Sequence, residues 1–489
     1  MEVEIFGMDT ITTGGKTWRT SGVKLRMFLE LILLKYLYMI SISLMLQDSY
    51  LIWPFDKNID FFLSLIELIP FTVCLVAFLH FYRRDSAYSF FSTLLFIVYY
   101  IPTNSGLSMS GNDPKYYLLI NIYSIIIFVV LGYISNNELN DISEDRFDIK
   151  NLYESKRRMR IIRTLVILVC LISLVYVYAY NGLDFSLLRS SDMYTTRGDY
   201  ATYVAENTDS LLSYFLLLFR CMTKWFLPLA LYFALTNKKI IDIVLCLVSF
   251  LALFTVSMEK STLLIAGVVF FLSWAEKHSN FSRISELLIR IFIIFFVITL
   301  IEFSIRRESV LFNMVVRREF YMPAWLTKIY YDFFETNPKM WFRQDAFFVQ
   351  NILSVFFEKP YPTGSTGIIS RSFFNGLIPS PNTGMFAEAY GQMGVLGVFV
   401  FPFIVGALTK ILRKSSDWYG DGAVAVIMVI LCLDMHSVSI LASSAFIGIL
   451  LVLFVTFLIK NYYRGRKKQT FQNNLNAISV NSRGDVENG

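Results

Sequence analysis

Long apolar stretches separated by short polar connections make up most of this chain. The hydrocarbon core of a bilayer, about 30 Å thick, requires roughly 20 apolar residues per helix, and about twelve segments of the chain approach that length. The pattern therefore predicts an all-α polytopic membrane protein. The predicted spans are residues 25–46, 61–82, 88–102, 116–134, 161–180, 211–236, 240–257, 262–275, 286–305, 392–412, 422–441 and 443–460.

Lysine and arginine gather in every second connection between these spans. Because positively charged connections stay on the cytoplasmic side of a membrane, this alternation predicts one topology, with both termini in the cytoplasm. An odd number of spans would break the alternation. The residues that carry the bias are Lys16, Arg19, Lys24, Arg83, Arg84, Lys156, Arg157, Arg158, Arg160, Lys238, Lys239, Lys277, Arg283, Arg413 and Lys414, together with the basic residues of 464–468.

Two of the outward connections are much longer than turns, and loops of such length usually have a function. In the larger one, 314–331 is predicted to be helical, whereas the Pro/Gly/Ser-rich stretch 359–384 is predicted to be irregular. No removable signal peptide is predicted. The expected parts are a cytoplasmic N-terminus (1–24), a transmembrane domain (25–460) with a medium (181–210) and a large (306–391) outer loop, and a disordered cytoplasmic tail (461–489).

The composition agrees with a bilayer protein, since 55% of the residues are hydrophobic and only 17% are charged. The net charge of +6 lies in the connections rather than in a basic stripe, so no nucleic-acid partner is expected. The five cysteines lie in apolar runs without metal-ligand spacing, and neither a disulfide nor a zinc site is predicted. Nucleotide-binding and metalloprotease motifs are lacking, so we expect no cofactor and no metal.

Charged residues inside the apolar segments are informative, because each costs about 2.5 to 3.5 kcal/mol to insert near the bilayer centre. Arg220 and Lys224 lie one helical turn apart in LLLFRCMTKWFLPL and share one face. That face either binds an anionic ligand, such as a lipid pyrophosphate, or is neutralised structurally. In the second case Arg220 pairs with an acidic residue of a neighbouring helix, while Lys224 extends toward the cytoplasm.

Four further residues inside the spans lead to predictions. Lys35 and Glu67 lie at depths that a lysine side chain can bridge, so they are predicted to form a structural ion pair. Asp434 and His436 are two residues apart and do not share a helical face, so they are not expected to act as a dyad. His436 alone is either a general base or a packing residue.

The outward connections are rich in cations that suit phosphate. Guanidinium groups bind phosphate oxygens in bidentate fashion, and those next to Tyr and Trp also suit sugars. The alternative is an ordinary solvated loop surface. Lys260 follows Glu259 at an outward corner, which is either a phosphate ligand or a hydrated turn. The loop arginines are Arg189, Arg197, Arg306, Arg307, Arg317 and Arg318.

The stretch 375–408, NGLIPSPNTGMFAEAYGQMGVLGVFVFPFIVGAL, resembles the signature region of bacterial O-antigen and capsule repeat-unit polymerases. In that family a Pro/Ser/Asn-bearing outer loop leads through Glu-x-Tyr-x-x-x-Gly into the next helix, and the matching residues here are Glu388, Tyr390 and Gly394. FTVSMEKSTLLI is similar to a second corner of the family, with Lys260 and Ser261 at the matching positions. The general plan of helices and outer loops extends the resemblance loosely along the chain.

The resemblance implies a GT-C-like transferase without a metal, at the outer face of the bacterial inner membrane. The growing glycan would leave undecaprenyl pyrophosphate and pass to a hydroxyl of the next lipid-linked repeat unit, with a flippase and a chain-length regulator as partners. Glu388 and His436 are then the candidate bases. The implied pyrophosphate ligands are Arg220, Lys224, Lys260 and Arg306, and the implied sugar-binding residues are Arg189, Arg197, Arg317, Arg318 and Tyr390.

Other functions stay open at this point. The related O-antigen ligases use a histidine in the large outer loop, and 306–391 contains none, which disfavours a ligase. A polyprenyl-phosphate-sugar transferase would carry an acidic motif in its first outer loop, where only Asp48 is close. A lipid-linked oligosaccharide flippase would have shorter loops and broken helices. An accessory membrane protein would tolerate neutral residues at Arg220 and Lys224.

Overall fold

The computed structural model describes residues 17–46, 61–82, 87–106, 113–145, 156–181, 211–257, 260–278, 283–375, 381, 384–416, 421–437 and 447–457. Within these ranges the chain is helical and contains no strand, which confirms the predicted all-α class. The predicted tail 461–489 lies outside the described residues. The same holds for Asp48 and for residues 182–210 of the medium outer loop, with Arg189 and Arg197.

Every predicted span contains a helix of the structure. The first nine helices are α1 (Thr17–Met45), α2 (Phe61–Phe81), α3 (Ala87–Leu95, continued by a π-helical turn Phe96–Tyr100 and by Ile101–Asn104), α4 (Pro114–Asp145), α5 (Lys156–Asn181), α6 (Leu211–Thr236), α7 (Ile240–Ser257), α8 (Lys260–His278) and α9 (Ile284–Arg306). The outer loop then adds a π-helix (Phe312–Tyr321), α10 (Met322–Thr336), α11 (Phe347–Leu353) and α12 (Ser365–Phe374). The last four are α13 (Met385–Met393), α14 (Val395–Ser416), α15 (Asp421–Ser437) and α16 (Ile447–Phe457).

Some of these helices are long and apolar enough to cross a membrane by themselves. Among the described residues five meet that criterion: Gly22–Met45, Phe62–Phe81, Pro114–Ile134, Ile284–Arg306 and Val395–Lys414. The remaining apolar helices have shorter described stretches, such as Arg163–Tyr178 and Gly422–His436. The structure is therefore consistent with a helical membrane protein, and the number of twelve spans stays a prediction.

Two helices lie at the centre of the bundle. The side chains of residues 88–105 in α3 and 422–432 in α15 are all buried, and the two helices pack against each other. A helix without a solvated polar face is expected in the interior of a bundle. The central position of α3 agrees with the burial of all the side chains of residues 88–105. Aromatic rings surround it: Phe71 of α2 stacks on Tyr100 at a centroid distance of 5.7 Å, and Phe128 of α4 lies 5.3 Å from Phe96.

The predicted pair of Lys35 and Glu67 is confirmed. Both side chains are fully buried, and the ammonium lies 3.1 Å from the carboxylate. Lys35 also donates to the side-chain oxygen of Asn104 at 2.5 Å, and Asn104 donates to Asn121 at 2.8 Å. This network joins α1, α2, α3 and α4, so hydrogen bonds satisfy the charges inside the apolar core. The Tyr117 hydroxyl extends it, accepting from Asn104 at 3.1 Å.

Ion pairs join helix ends that the charge alternation places on the cytoplasmic side. Glu30 of α1 lies 3.2 Å from Arg290 of α9, and Arg163 of α5 lies 3.5 Å from Asp242 of α7. The Lys24 ammonium donates to the carbonyl of His80 at the end of α2. These contacts group the helix ends as the topology predicts.

The opposite helix ends are covered by part of the large loop, residues 309–375, which we call the outer cap. Lys115 at the start of α4 pairs with Glu335 of α10 at 2.5 Å, and Asp113 lies 3.2 Å from Lys328 of the same helix. Both members of each pair were predicted to lie outside, so the contacts agree with the alternation.

Inside the cap the helical prediction for 314–331 is confirmed, but the prediction of irregular structure over 359–384 is wrong in part. Residues 354–364 lack a regular helix, whereas Ser365–Phe374 forms α12. This helix forms because a side chain 20 residues earlier in the sequence caps its N-terminus. The carboxylate of Asp345 accepts a hydrogen bond from the backbone N–H of Ser365 at 2.7 Å, which satisfies the start of the helix.

The predicted span boundaries also shift in two places. Helix α1 includes residues from Thr17 onward, and its candidate membrane span begins at Gly22 rather than at residue 25. The span predicted to begin at residue 392 is divided, because Gly394 adopts a left-handed φ of 61° between α13 and α14. Glu388 and Tyr390 thus lie on a separate short helix that precedes the span.

Gly397 allows α14 to fold back closely on α13. A Cβ atom at this position would lie 1.9 Å from the carbonyl oxygen of Ala389. We expect Gly397→Ala to reduce the free energy of unfolding by about 1 to 3 kcal/mol, because backbone must move to admit the methyl group. The measurement is chemical unfolding of the purified protein in detergent micelles.

Gly267 in α8 is the matched control, since a Cβ there would meet nothing within 4 Å. We expect Gly267→Ala to be neutral or slightly stabilising, because alanine favours helix by about 1 kcal/mol over glycine. Equal losses from both substitutions would contradict the role given to Gly397.

Candidate functional site

The outer end of α15 carries two polar side chains in an apolar setting. Asp434, only 1% exposed, forms an ion pair with Lys224 of α6, whose side chain is 29% exposed. An acidic residue of a neighbouring helix thus pairs with Lys224, whereas the structural alternative drawn from the sequence assigned that pair to Arg220 and directed Lys224 toward the cytoplasm. Arg220 lies one turn earlier on α6, but its side chain lies outside the described part of the structure.

The ion pair does not use all of the carboxylate. The Oδ2 atom of Asp434 is buried and has no hydrogen-bond partner among the described residues. A buried carboxylate oxygen strongly favours a donor. The Lys224 side chain is partly exposed, so it extends from the buried Asp434 carboxylate to the surface of the bundle.

His436 lies one half-turn beyond Asp434 and is also buried, at 2% exposure. Its Nε2 atom contacts the backbone carbonyl oxygen of Glu319. A carbonyl only accepts, so Nε2 carries the proton and Nδ1 is left with a lone pair in the neutral ring. Within the described residues Nδ1 has no hydrogen-bond partner. As predicted, Asp434 and His436 contact different partners and do not form a dyad.

The carbonyl that holds His436 belongs to the π-helix Phe312–Tyr321, which brings two predicted ligands near the site. Arg317 and Arg318 directly precede Glu319, and both side chains are half-buried. Ten residues in π-helical conformation is a long stretch, and π-turns are frequent at functional sites. A side chain caps the start of this π-helix: the Ser309 hydroxyl accepts a hydrogen bond from the N–H of Phe312 at 3.0 Å and donates one to the Glu302 carboxylate at 2.7 Å.

Helix α13 reaches the same point from another direction. Its N-cap, Gly384, packs on the end of α15, where a Cβ would lie 2.6 Å from the carbonyl oxygen of His436 and 2.8 Å from that of Met435. The positive end of the α13 dipole thus meets the negative end of α15. Glu388 lies in the first turn of α13, buried at 6% exposure, and its N–H donates to the Gly384 carbonyl at 3.2 Å.

Other predicted residues lie elsewhere. Arg306 is on the surface at the end of α9, where its side chain is 68% exposed and lies 3.7 Å from Glu302. Tyr390 is 3% exposed and packs on Tyr331 at a centroid distance of 4.7 Å, so it belongs to the packing of α13 against α10. Lys260 begins α8, and its side chain lies outside the described part.

A second cluster of charged side chains, where the outer cap meets the start of α4, was not predicted from the sequence. The Lys328 ammonium lies 5.4 Å from the ring of Tyr116 and 5.5 Å from that of Tyr331, and it pairs with Asp113 and Asp332. Burial raises the pKa of the Asp332 carboxyl, and the bond with Lys328 opposes that shift. Only the i, i+4 spacing of Lys328 and Asp332 was visible in sequence.

A small cavity adjoins Lys328, with room for about one water molecule. Tyr38, Thr103, Ser105 and Trp325 are among the residues that line it, so it lies between the cap and the bundle.

The arrangement at the end of α15 suits an anionic, hydroxyl-bearing ligand. It offers the partly exposed ammonium of Lys224, a buried imidazole nitrogen with a lone pair, and a π-helix whose Arg317 and Arg318 adjoin Glu319 in the chain. Within the described residues, no group of three His, Cys, Asp or Glu side chains is placed to hold a metal ion. No protein-family model, no curated protein and no solved structure matches this chain.

Proposed function

We propose that this protein polymerises undecaprenyl-pyrophosphate-linked oligosaccharide repeat units into O-antigen or capsular polysaccharide. The reaction would take place at the outer face of a bacterial inner membrane, with both termini of the chain in the cytoplasm. The observation that carries the proposal is that the outer end of α15 holds both the Lys224–Asp434 pair and His436, whose imidazole contacts the π-helix that contains Arg317 and Arg318. The resemblance of 375–408 to repeat-unit polymerases supports the same function.

The reaction needs a cation at the leaving group. As the bond between the sugar anomeric carbon and the pyrophosphate oxygen breaks, the leaving oxygen gains negative charge, and cations placed there lower the barrier. Lys224 offers a charge that already lies at the site, and Arg317 and Arg318 offer guanidinium groups that match phosphate oxygens. The lipid pyrophosphate departs with the electron pair of the broken bond.

The reaction also needs an acceptor for one proton. A hydroxyl of the second lipid-linked repeat unit forms the new glycosidic bond and loses its proton. The Nδ1 atom of His436 has the lone pair to take that proton, because Nε2 is held by the carbonyl of Glu319. Since Nδ1 is buried, the acceptor hydroxyl would reach it only when the packing around the end of α15 opens. Glu388, in the first turn of α13, is the second candidate for this role.

The test is a gel ladder of surface glycan from cells in which the gene is deleted and then restored. We expect a collapse to a single capped repeat unit after deletion and a return of the ladder after complementation. Complementation with His436→Gln should leave the single unit if His436 is the base. The His80→Gln variant is the matched control and should restore the ladder, because His80 is exposed at the end of α2 that the charge alternation assigns to the cytoplasm.

Other outcomes would favour another function. Loss of all surface glycan together with lipid-linked repeats retained inside the cell would indicate a flippase, because polymerisation follows export. An unchanged ladder would contradict the proposal. Loss of glycan at an earlier, single-sugar step would favour a polyprenyl-phosphate-sugar transferase.

A further inference from the structure

Part of the outer cap exposes large apolar side chains. Exposed fractions are 75% for Val355, 73% for Phe356, 56% for Phe357 and 51% for Ile352. Residues 346–357, AFFVQNILSVFF, contain no charge, and Glu358 and Lys359 follow them at once. We call residues 349–357 the apolar finger. An exposed apolar patch rimmed by polar residues usually marks an interaction surface.

The finger has a defined shape. It consists of the end of α11 and a turn in which the N–H groups of Phe356 and Phe357 donate to the carbonyl of Leu353 at 3.0 and 2.9 Å. The turn therefore presents Val355, Phe356 and Phe357 together rather than folding them inward.

Phe342, which precedes the finger, indicates how deep the outer cap lies relative to the membrane. The ring of Phe342 stacks in parallel on Phe401 of α14 at a centroid distance of 6.1 Å. Phe401 lies six residues inside the candidate span Val395–Lys414, which corresponds to about 9 Å along a helix. The cap thus descends along the outer part of a spanning helix.

Hydrogen bonds fix residues 340–343 of the outer cap beside the start of α14. The N–H of Met340 donates to the carbonyl of Gly391 at 2.9 Å, and that of Trp341 donates to the carbonyl of Gln392 at 2.8 Å. The guanidinium of Arg343 reaches the carbonyl of Glu358 at 3.4 Å, which ties the base of the finger to the same level.

The outward surface of α14 is apolar as well. Leu396, Phe399 and Phe403 are 50%, 45% and 59% exposed and face outward from the bundle. Trp341, 47% exposed, directly precedes Phe342, which stacks on α14, and tryptophan is enriched in membrane proteins between acyl chains and headgroups. The finger is thus joined through Arg343 and Phe342 to a candidate spanning helix, which favours lipid over a soluble protein as its occupant.

We propose that the apolar finger, with Trp341, inserts into the acyl chains of the outer leaflet and holds the cap against the membrane. The charged residues at its base then lie among the headgroups, as in interfacial segments of peripheral proteins. Insertion fixes the cap, and with it the π-helix that contacts His436, at the level of lipid headgroups. The inference does not depend on the chemistry of the site.

The test uses a nitroxide label on Phe356→Cys in the full-length protein, reconstituted in nanodiscs of phosphatidylethanolamine and phosphatidylglycerol. The five native cysteines are fully buried, so the introduced thiol is the accessible one. We expect the label to collide more with oxygen, which concentrates in acyl chains, than with a water-soluble nickel complex. Ser372→Cys, on the exposed side of α12, is the matched control and should show the reverse preference.

Val355→Cys repeats the measurement at a second exposed position, so a poorly folded Phe356→Cys variant does not decide the result. A preference for the nickel complex at both positions would overturn the proposal, because the finger would then lie in water. Shielding from both reagents would overturn it as well and would indicate contact with a second copy or a partner protein.

Discussion

Replacing Lys35 by methionine is expected to lower the free energy of unfolding by about 3 to 5 kcal/mol. The reason is the carboxylate of Glu67, which is fully buried and would lose its counter-charge inside the bundle. Asn104 would lose the donor that now reaches its side-chain oxygen at 2.5 Å. The measurement is chemical unfolding in detergent, followed by a thiol-reactive dye that reports exposure of the buried cysteines.

A double variant separates the charge effect from the loss of packing. Lys35→Met combined with Glu67→Gln leaves no unpaired charge, so most of the stability should return. Arg26→Met is the surface control, because its pair with Glu30 is solvent-exposed and should be worth less than about 1 kcal/mol. A loss as large in the double variant as in the single variant would show that the ion pair itself is unimportant.

Replacing Lys224 by methionine is expected to lower the stability of the protein and to abolish polymerisation. Asp434 is 1% exposed and would be left as an uncompensated charge, which costs about 3 to 5 kcal/mol when a buried pair is broken. If the proposed function is right, the variant would also lose a cation at the pyrophosphate. Unfolding in detergent measures the first effect, and the surface-glycan ladder measures the second.

The two effects can be separated by also changing Asp434 to asparagine. The Lys224→Met/Asp434→Asn protein should regain most of its stability, since no buried charge is unpaired, yet it should still fail to restore the ladder. A normal ladder from this stable double variant would remove Lys224 and Asp434 from the mechanism and leave them a structural pair.

The apolar helices of the bundle, and the charges within them that need a partner, follow from the sequence alone. Backbone groups in lipid can be satisfied only within the chain itself, so apolar segments of sufficient length become helices. The same cost of unpaired charge predicted the contact between Lys35 and Glu67, because their depths along two successive helices match. Alternation of lysine and arginine likewise predicted that Lys115 and Glu335 would lie on the same side, where they pair.

Which helices are neighbours cannot be predicted from the sequence and follows from the packing of the bundle. Lys224 and Asp434 are 210 residues apart in the sequence, and no local pattern relates them. The same is true of the carbonyl of Glu319 at His436 and of the carboxylate of Asp345 at the start of α12. Periodicity records which face of a helix is apolar, but not which neighbour covers it. The candidate site arises from those long-range contacts, because α6, α13, α15 and the π-helix meet only after the bundle has packed.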